Sequence, residues 1–185
     1  YKWLDVAARA CALPLANQAS ETPAALPFQD LPALIEDFIA LLARAQSADG
    51  YLYTYNQIHF PASRWENLLI EHELYCHGHL IEAGVSHFQA TGRTDALTLA
   101  RKAADLLVSD FLNDARRLPD GHEEVEIALL RLYEVTAHAP YLDLACSLLD
   151  RRGRLPRLAL ALELLRQNAR VERRRQEVEA ARRAW

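Results

Sequence analysis

The sequence predicts an all-α fold: a partial (α/α)6 toroid of alternating outer and inner helices, followed by a basic C-terminal helix. Three observations carry this. Apolar residues recur at helical spacing through almost the whole chain, in segments closed by Pro, Gly or Asp-Gly. Segments with one apolar stripe alternate with segments apolar on several faces, the pattern of outer and inner helices. WLDVAARA (3–10), ALTLARKA (96–103) and YLDLACSL (141–148) share a Leu-x-x-Ala core at one helical phase. Their uneven spacing suits a toroid of helical hairpins better than a regular solenoid.

The first helix runs from about Lys2 to Leu13 and stops at Pro14. Residues 17–27, with two prolines among Ser, Glu and Thr, read as a loop. The second helix starts near Leu31 with Asp30 as its cap, carries Leu34, Ile35, Phe38, Leu41 and Leu42, and ends before Asp49-Gly50. YLYTYNQIHFP (51–61) has no helical period and is expected as an ordered loop with an extended piece. The third helix spans about Glu66 to Ala90, with Gly92 as its C-terminal stop. The fourth follows Thr94 with one stripe: Leu97, Ala100, Ala104, Leu107, Val108 and Phe111. The fifth runs from Glu123 to Thr136, its acidic start favourable for the helix dipole, and Ile127 to Tyr133 leave it almost no polar side. The sixth runs from Tyr141 to Arg152 and closes on Arg-Arg-Gly.

With 185 residues, 51% of them apolar and 25% charged, the chain suits one globular domain. No apolar run reaches the roughly eighteen residues of a membrane span, so no membrane partner is expected. Cys11, Cys76 and Cys146 are odd in number and far apart, which fits reduced thiols in a cytoplasm. The start at Tyr1 and the absence of methionine suggest part of a longer chain. Charge divides unevenly: residues 1–150 hold ten Lys and Arg against 21 Asp and Glu, whereas residues 151–185 hold 11 Arg against four Glu. The expected division is therefore 1–153, a partial barrel, and 154–185, a basic helical tail with Leu158, Leu162, Leu165 and Ala169 at helical spacing. The tail reads as a solvated or self-associating helix, as cover for apolar surface left by a half-toroid, or as an altered reading frame. With no interleaved aromatic before Trp185, no nucleic-acid partner is expected.

The chemistry gathers in HELYCHGHLIEAG (72–84). On a helical wheel His72, Cys76, His79 and Ala83 fall within about 60° of one another, with Tyr75 at the edge and Glu73 and His77 on a flank. Core histidines satisfied by neighbours, a metal set of His72, Cys76 and His79, or a polar wall on a cavity all fit this pattern. PDGHEEVE (119–126) puts His122 ahead of the fifth helix. In a toroid, inner-helix N-termini can open on one rim, which would bring His72 and His122 together across fifty residues. Alternatively His122, Glu123 and Glu124 serve only the helix start. DGYLYTY (49–55) offers an aromatic wall of the kind sugars stack on.

AQSADGYLYTY, HELYCHGHLIEAGVSHFQATG, GHEEVEIALLRLYEVT and YLDLACSLLDRRG, in this order, closely resemble the β-L-arabinofuranosidase-type glycoside hydrolases of family 127, formerly a bacterial domain of unknown function. The resemblance covers residues 1–153. It implies an (α/α)6 barrel and retaining hydrolysis of terminal β-L-arabinofuranosides by a zinc-bound cysteine nucleophile and a glutamate acid/base. It also places His72 and His122 in the sugar pocket, with Tyr75 and His79 as further substrate-binding candidates. The family's zinc ligands, nucleophile and acid/base lie beyond LDRRG. The chain is therefore expected to carry sugar-pocket histidines, no catalytic or metal residue and no cofactor of its own, and to be inactive alone. Its expected partners are an L-arabinofuranoside and a second copy or complementing chain. Two other readings are another (α/α)6 carbohydrate enzyme, such as an epimerase or unsaturated-glycoside hydrolase, and a helical scaffold for a protein partner.

Overall fold

A computed structural model describes residues 1–12, 30–114, 118, 120–154 and 156–183. Within them the chain forms eight helices: α1 (Lys2–Ala12), α2 (Leu31–Ala45), α3 (Thr54–His59), α4 (Glu73–Thr91), α5 (Asp95–Phe111), α6 (Glu124–Thr136), α7 (Ala139–Arg154) and α8 (Arg157–Arg183). The expected stop at Pro14 and the 17–27 loop lie outside the described residues.

Three helical hairpins, α1–α2, α4–α5 and α6–α7, stand side by side in two layers. Helix α4 lies between α1 and α6 in the first layer, and α5 lies between α2 and α7 in the second. This is the alternation of part of an α/α toroid. One assignment changes: the single stripe of α1 suggested an outer helix beside α5 and α7, but α1 packs on α4 in the inner layer. Its stripe, Leu4, Ala7 and Ala8, is buried, while Trp3 and Val6 are exposed. The stripe showed that one face is buried, not which layer it faces.

Helix α4 is the axis of the core, with Leu74, Leu80, Ile81, Ala83 and Val85 all buried. Glycine lets its neighbours come close. A Cβ on Gly84 would stand 2.6 Å from Cβ of Ala100 on α5, and one on Gly78 would stand 3.1 Å from the backbone of Val125 on α6. Helix α6 is covered on its α4 and α7 sides, but Ile127 is 51% and Leu130 36% exposed.

The boundaries differ where long-range polar partners act. The third helix starts at Glu73, not Glu66. Residues 65–72 form turns, with Trp65 at φ +63°, and their polar groups are claimed by α8. Gln167 Oε1 accepts from the Leu69 N–H at 2.9 Å, and Arg170 donates to the Glu66 carbonyl at 2.7 Å. The 51–61 stretch is extended only to Tyr53 and then forms α3, where the Tyr55 and His59 rings meet at a tilt with centroids 5.4 Å apart. Asp30 and Thr94 occupy cap positions without a side-chain cap bond. Gly92 does end α4 in the left-handed conformation at φ +71°. Helix α7 runs through Gly153 to Arg154, so Arg-Arg-Gly does not end it.

Helix α8 docks through polar residues, as its reading as a solvated helix with an exposed apolar row allows. Leu158, Leu162 and Leu165 face solvent, at 73%, 49% and 67% exposure, while Gln167, Val171 and Arg174 are buried. Arg174 donates to Glu71 at 2.6 Å and to Glu66 at 2.9 Å, and its guanidinium lies 4.8 Å from the Phe60 ring centroid. A buried carboxylate and open carbonyls on 66–71 select arginine and glutamine, not leucine. The helix therefore does not cover α6, whose Ile127 and Leu130 stay exposed. Among the described residues no helix is long and apolar enough to cross a membrane.

Removing Arg174 strands Glu71 as a buried unpaired charge. Arg174→Ala is expected to cost about 3–5 kcal/mol in urea unfolding, whereas Leu162→Ser should stay within about 0.5 kcal/mol. Equal losses would contradict the polar docking of α8.

Candidate functional site

The N-terminal ends of α1, α4 and α6 meet at one rim. Each contributes its first residues: Lys2 from α1, His72 and Tyr75 from α4, His122 and Glu124 from α6. Lys2 Nζ donates to the Tyr75 hydroxyl, and this bond raises the pKa of Lys2. His72 and His122 stack with ring centroids 5.0 Å apart, and their Nε2 atoms are 3.2 Å apart. Tyr75 completes the group, its ring 5.4 Å from His72, 5.0 Å from His122 and 4.4 Å from His79. Partial burial lowers the pKa of His72, and the neighbouring imidazole lowers it further. A neutral imidazole at His72 offers both a donor and an acceptor to a hydroxyl-rich ligand.

The rim stands on a buried polar knot. Glu73 is fully buried; its carboxylate accepts from the Tyr51 hydroxyl and, at 2.8 Å, from the Trp65 N–H. One turn on, His77 Nδ1 lies 2.7 Å from the Glu73 carbonyl, and its Nε2 lies 3.1 Å from the Leu52 N–H. Only the tautomer with the proton on Nδ1 satisfies both contacts. Burial holds His77 down at about 4 and pushes Glu73 up to about 7.

His79 lies behind Tyr75. Its Nδ1 is 2.7 Å from Glu124 Oε1 and 3.8 Å from Glu82 Oε2, although the Glu124 contact lacks the alignment of a hydrogen bond. Burial, then a hydrogen bond shared with Glu82, pushes Glu124 up to about 7. Ligand atoms of His79, Glu82 and Glu124 all lie within 4.8 Å of one another, close enough to share an ion. Arg131 already answers Glu82 at 2.8 Å, however.

The structure thus brings all four expected site residues, His72, Tyr75, His79 and His122, into one cluster. Cys76 belongs to no metal-competent group among the described residues, and burial pushes its thiol up to about 11. Cys76 is half-buried, and the metal set of His72, Cys76 and His79 does not form among the described residues. The aromatic wall also changes. Tyr51 is buried against Trp65 at 5.2 Å, and Tyr55 turns toward Phe60 at 5.6 Å. A pocket of about 220 Å³ lined by Trp65, Leu68, Glu163 and Gln167 lies where α8 docks, away from the histidines.

Lys2, Glu82, Asp120 and Arg152 were missed. Only the acidic start of α6 was visible as a charged feature; the others act through contacts between hairpins. Asp120 is buried with Oδ2 unpartnered, and burial pushes it up to about 7.

Paired α/α layers, with histidines, a tyrosine and carboxylates gathered at one rim, form part of an α/α toroid. The family model described as β-L-arabinofuranosidase, GH127 catalytic domain, matches residues 15–182, and the chain belongs to that family. The match runs through α8, past Gly153 where the sequence motifs end, so the altered-frame reading of the tail has no support. A non-reducing end β-L-arabinofuranosidase of Bifidobacterium longum subsp. longum is 41% identical over 162 residues, covering 84% of this chain and 23% of that protein. The crystal structure of a GH127 β-L-arabinofuranosidase from Geobacillus stearothermophilus T6 superposes with a TM-score of 0.73 at 40% identity, over 91% of this chain and 24% of that one. A second GH127 β-arabinofuranosidase structure gives 0.67 at 33% identity, over 85% and 24%. The chain therefore spans about a quarter of the length of these relatives.

His77 gives a pH test. Its pKa is lower folded than unfolded, so its contribution is present above about 6.5 and is lost as pH falls toward 4. Glu73, raised in the fold, changes stability in the opposite direction. The stability difference between wild type and His77→Gln, measured by urea unfolding, isolates His77. It is expected to shrink by about 2 kcal/mol from pH 7 to pH 5; a constant difference would contradict the buried neutral ring.

Proposed function

We propose that this chain carries the sugar-facing histidines of a β-L-arabinofuranosidase, binding a terminal L-arabinofuranoside through His72 and His122 with Tyr75 and His79 beside them. In this reading the chain does not cleave the glycosidic bond alone, because the nucleophile, its zinc and the acid/base come from another segment or chain. The observation that carries the reading is the meeting of two imidazoles, 3.2 Å apart, on the N-termini of adjacent helices. Neutral imidazoles can take sugar hydroxyls as donors or acceptors, and the Tyr75 ring offers a face for C–H groups. Family membership supports the substrate class, and the chain's span of about a quarter of its relatives supports the absence of turnover. Three cysteines that are free in the structure support a reducing, cytoplasmic setting.

The test is calorimetry with methyl β-L-arabinofuranoside. His72→Ala and His122→Ala should each weaken binding by roughly two- to tenfold, the loss of about one hydrogen bond. No p-nitrophenyl β-L-arabinofuranoside should be hydrolysed, with or without zinc. Unchanged affinity in both variants, or zinc-dependent release of nitrophenol, would defeat the reading. Exposed Ile127 and Leu130, with Trp3 and Val6, also support self-association or docking of a complementing chain. Sedimentation should show a dimer that Ile127→Asp dissociates; a monomer at every concentration would favour a complementing chain.

A further inference from the structure

We propose that Arg152, on α7 in the opposite layer, is the positioning residue that holds His122 against His72. The proposal deepens the sugar-site reading and takes its functional meaning from it, but its geometry stands apart from any ligand. Arg152 lies in the last turns of α7 and engages all three guanidinium nitrogens. Nε donates to Glu126 Oε1 at 2.8 Å, one terminal nitrogen donates to the Asp120 carbonyl, and the other donates to the His122 carbonyl. The Glu126 carboxylate is almost fully buried where Arg152 meets it. One planar group thus ties the turn that carries His122 to the body of α6.

Among the described residues the turn is also held through Asp120, which the Tyr75 backbone N–H meets, and through Gly121. Gly121 N–H reaches the Leu68 carbonyl at 3.1 Å and the Asp120 carboxylate at 2.6 Å. A Cβ at Gly121 would stand 2.7 Å from the Leu69 carbonyl oxygen, so the turn is pressed against the segment leading to His72. Two carbonyls at fixed positions, with a carboxylate beside them, match the rigid fork of a guanidinium. A lysine ammonium donates from a single nitrogen and cannot reproduce this planar fork. Arg151 is a matched control next door: it binds the Phe111, Leu112 and Asp114 carbonyls at the end of α5 and does not touch the His122 turn.

The experiment uses sugar-free protein with histidine rings isotopically labelled. Wild type should show a nuclear Overhauser contact between the ring protons of His72 and His122. Arg152→Lys, which keeps the charge and loses the fork, should abolish that contact while backbone amide signals elsewhere persist, and Arg152→Ala should do the same. Arg151→Lys should retain it. If Arg152→Ala fails to fold, the lysine variant decides. A ring–ring contact of unchanged strength in Arg152→Lys would overturn the proposal, as would its loss in Arg151→Lys. Because no sugar is present, these outcomes are independent of whether the pair binds arabinofuranosides.

Discussion

The burial of Glu73 is the constraint from which the site geometry follows. A carboxylate without solvent must be answered from close range, and here the answers come from Tyr51 and from the Trp65 backbone. Both lie on the strand-like and turned stretch between α2 and α4, so a single side chain at the start of α4 fixes how that stretch lies over the helix. His77 adds a second tie from the same helix to Leu52. With the first turn of α4 held this way, its neighbours His72 and Tyr75 have one direction left to face.

Arginines fix the remaining freedom from outside. Arg174 and Arg170 on α8 hold residues 66–71, which lead into His72, and Arg152 on α7 holds the turn that ends in His122. Arg174 and Arg152 use forked donors on carbonyls or carboxylates, a geometry in which arginine and lysine are not interchangeable. Part of the basic composition of the C-terminal part thus has a structural account: Arg151, Arg152, Arg170 and Arg174 answer acidic groups and carbonyls of the rest of the chain. The leucines of α8, left facing water, have no such role within the described residues.

Much of the helical order was legible because apolar period and glycine stops are local signals. Gly92 ended α4 as expected, and α5 and α6 lay within a residue or two of their predicted limits. What escaped required partners far away in sequence. Residues 66–72 have an acceptable helical pattern, yet their backbone groups serve α8 a hundred positions on. The docking side of α8 could not be read from its apolar spacing, because its partner surface is charged. At the site, the meeting of His72 and His122 could be inferred from inner-helix N-termini opening on one rim. Lys2, Asp120 and Arg152 could not, since their significance arises only when three hairpins are assembled. Tyr51 looked like a wall for sugar because a loop tyrosine is often exposed; its role as donor to Glu73 puts it in the core.

The account stands or falls on whether the two imidazoles share one ligand-facing rim. The most direct measurement is a crystal structure of the protein soaked with L-arabinose. It should show one sugar with hydroxyls in hydrogen-bond contact with both His72 and His122 and its ring beside Tyr75. Imidazoles on separate surfaces, or a sugar seated elsewhere with this rim empty, would contradict it.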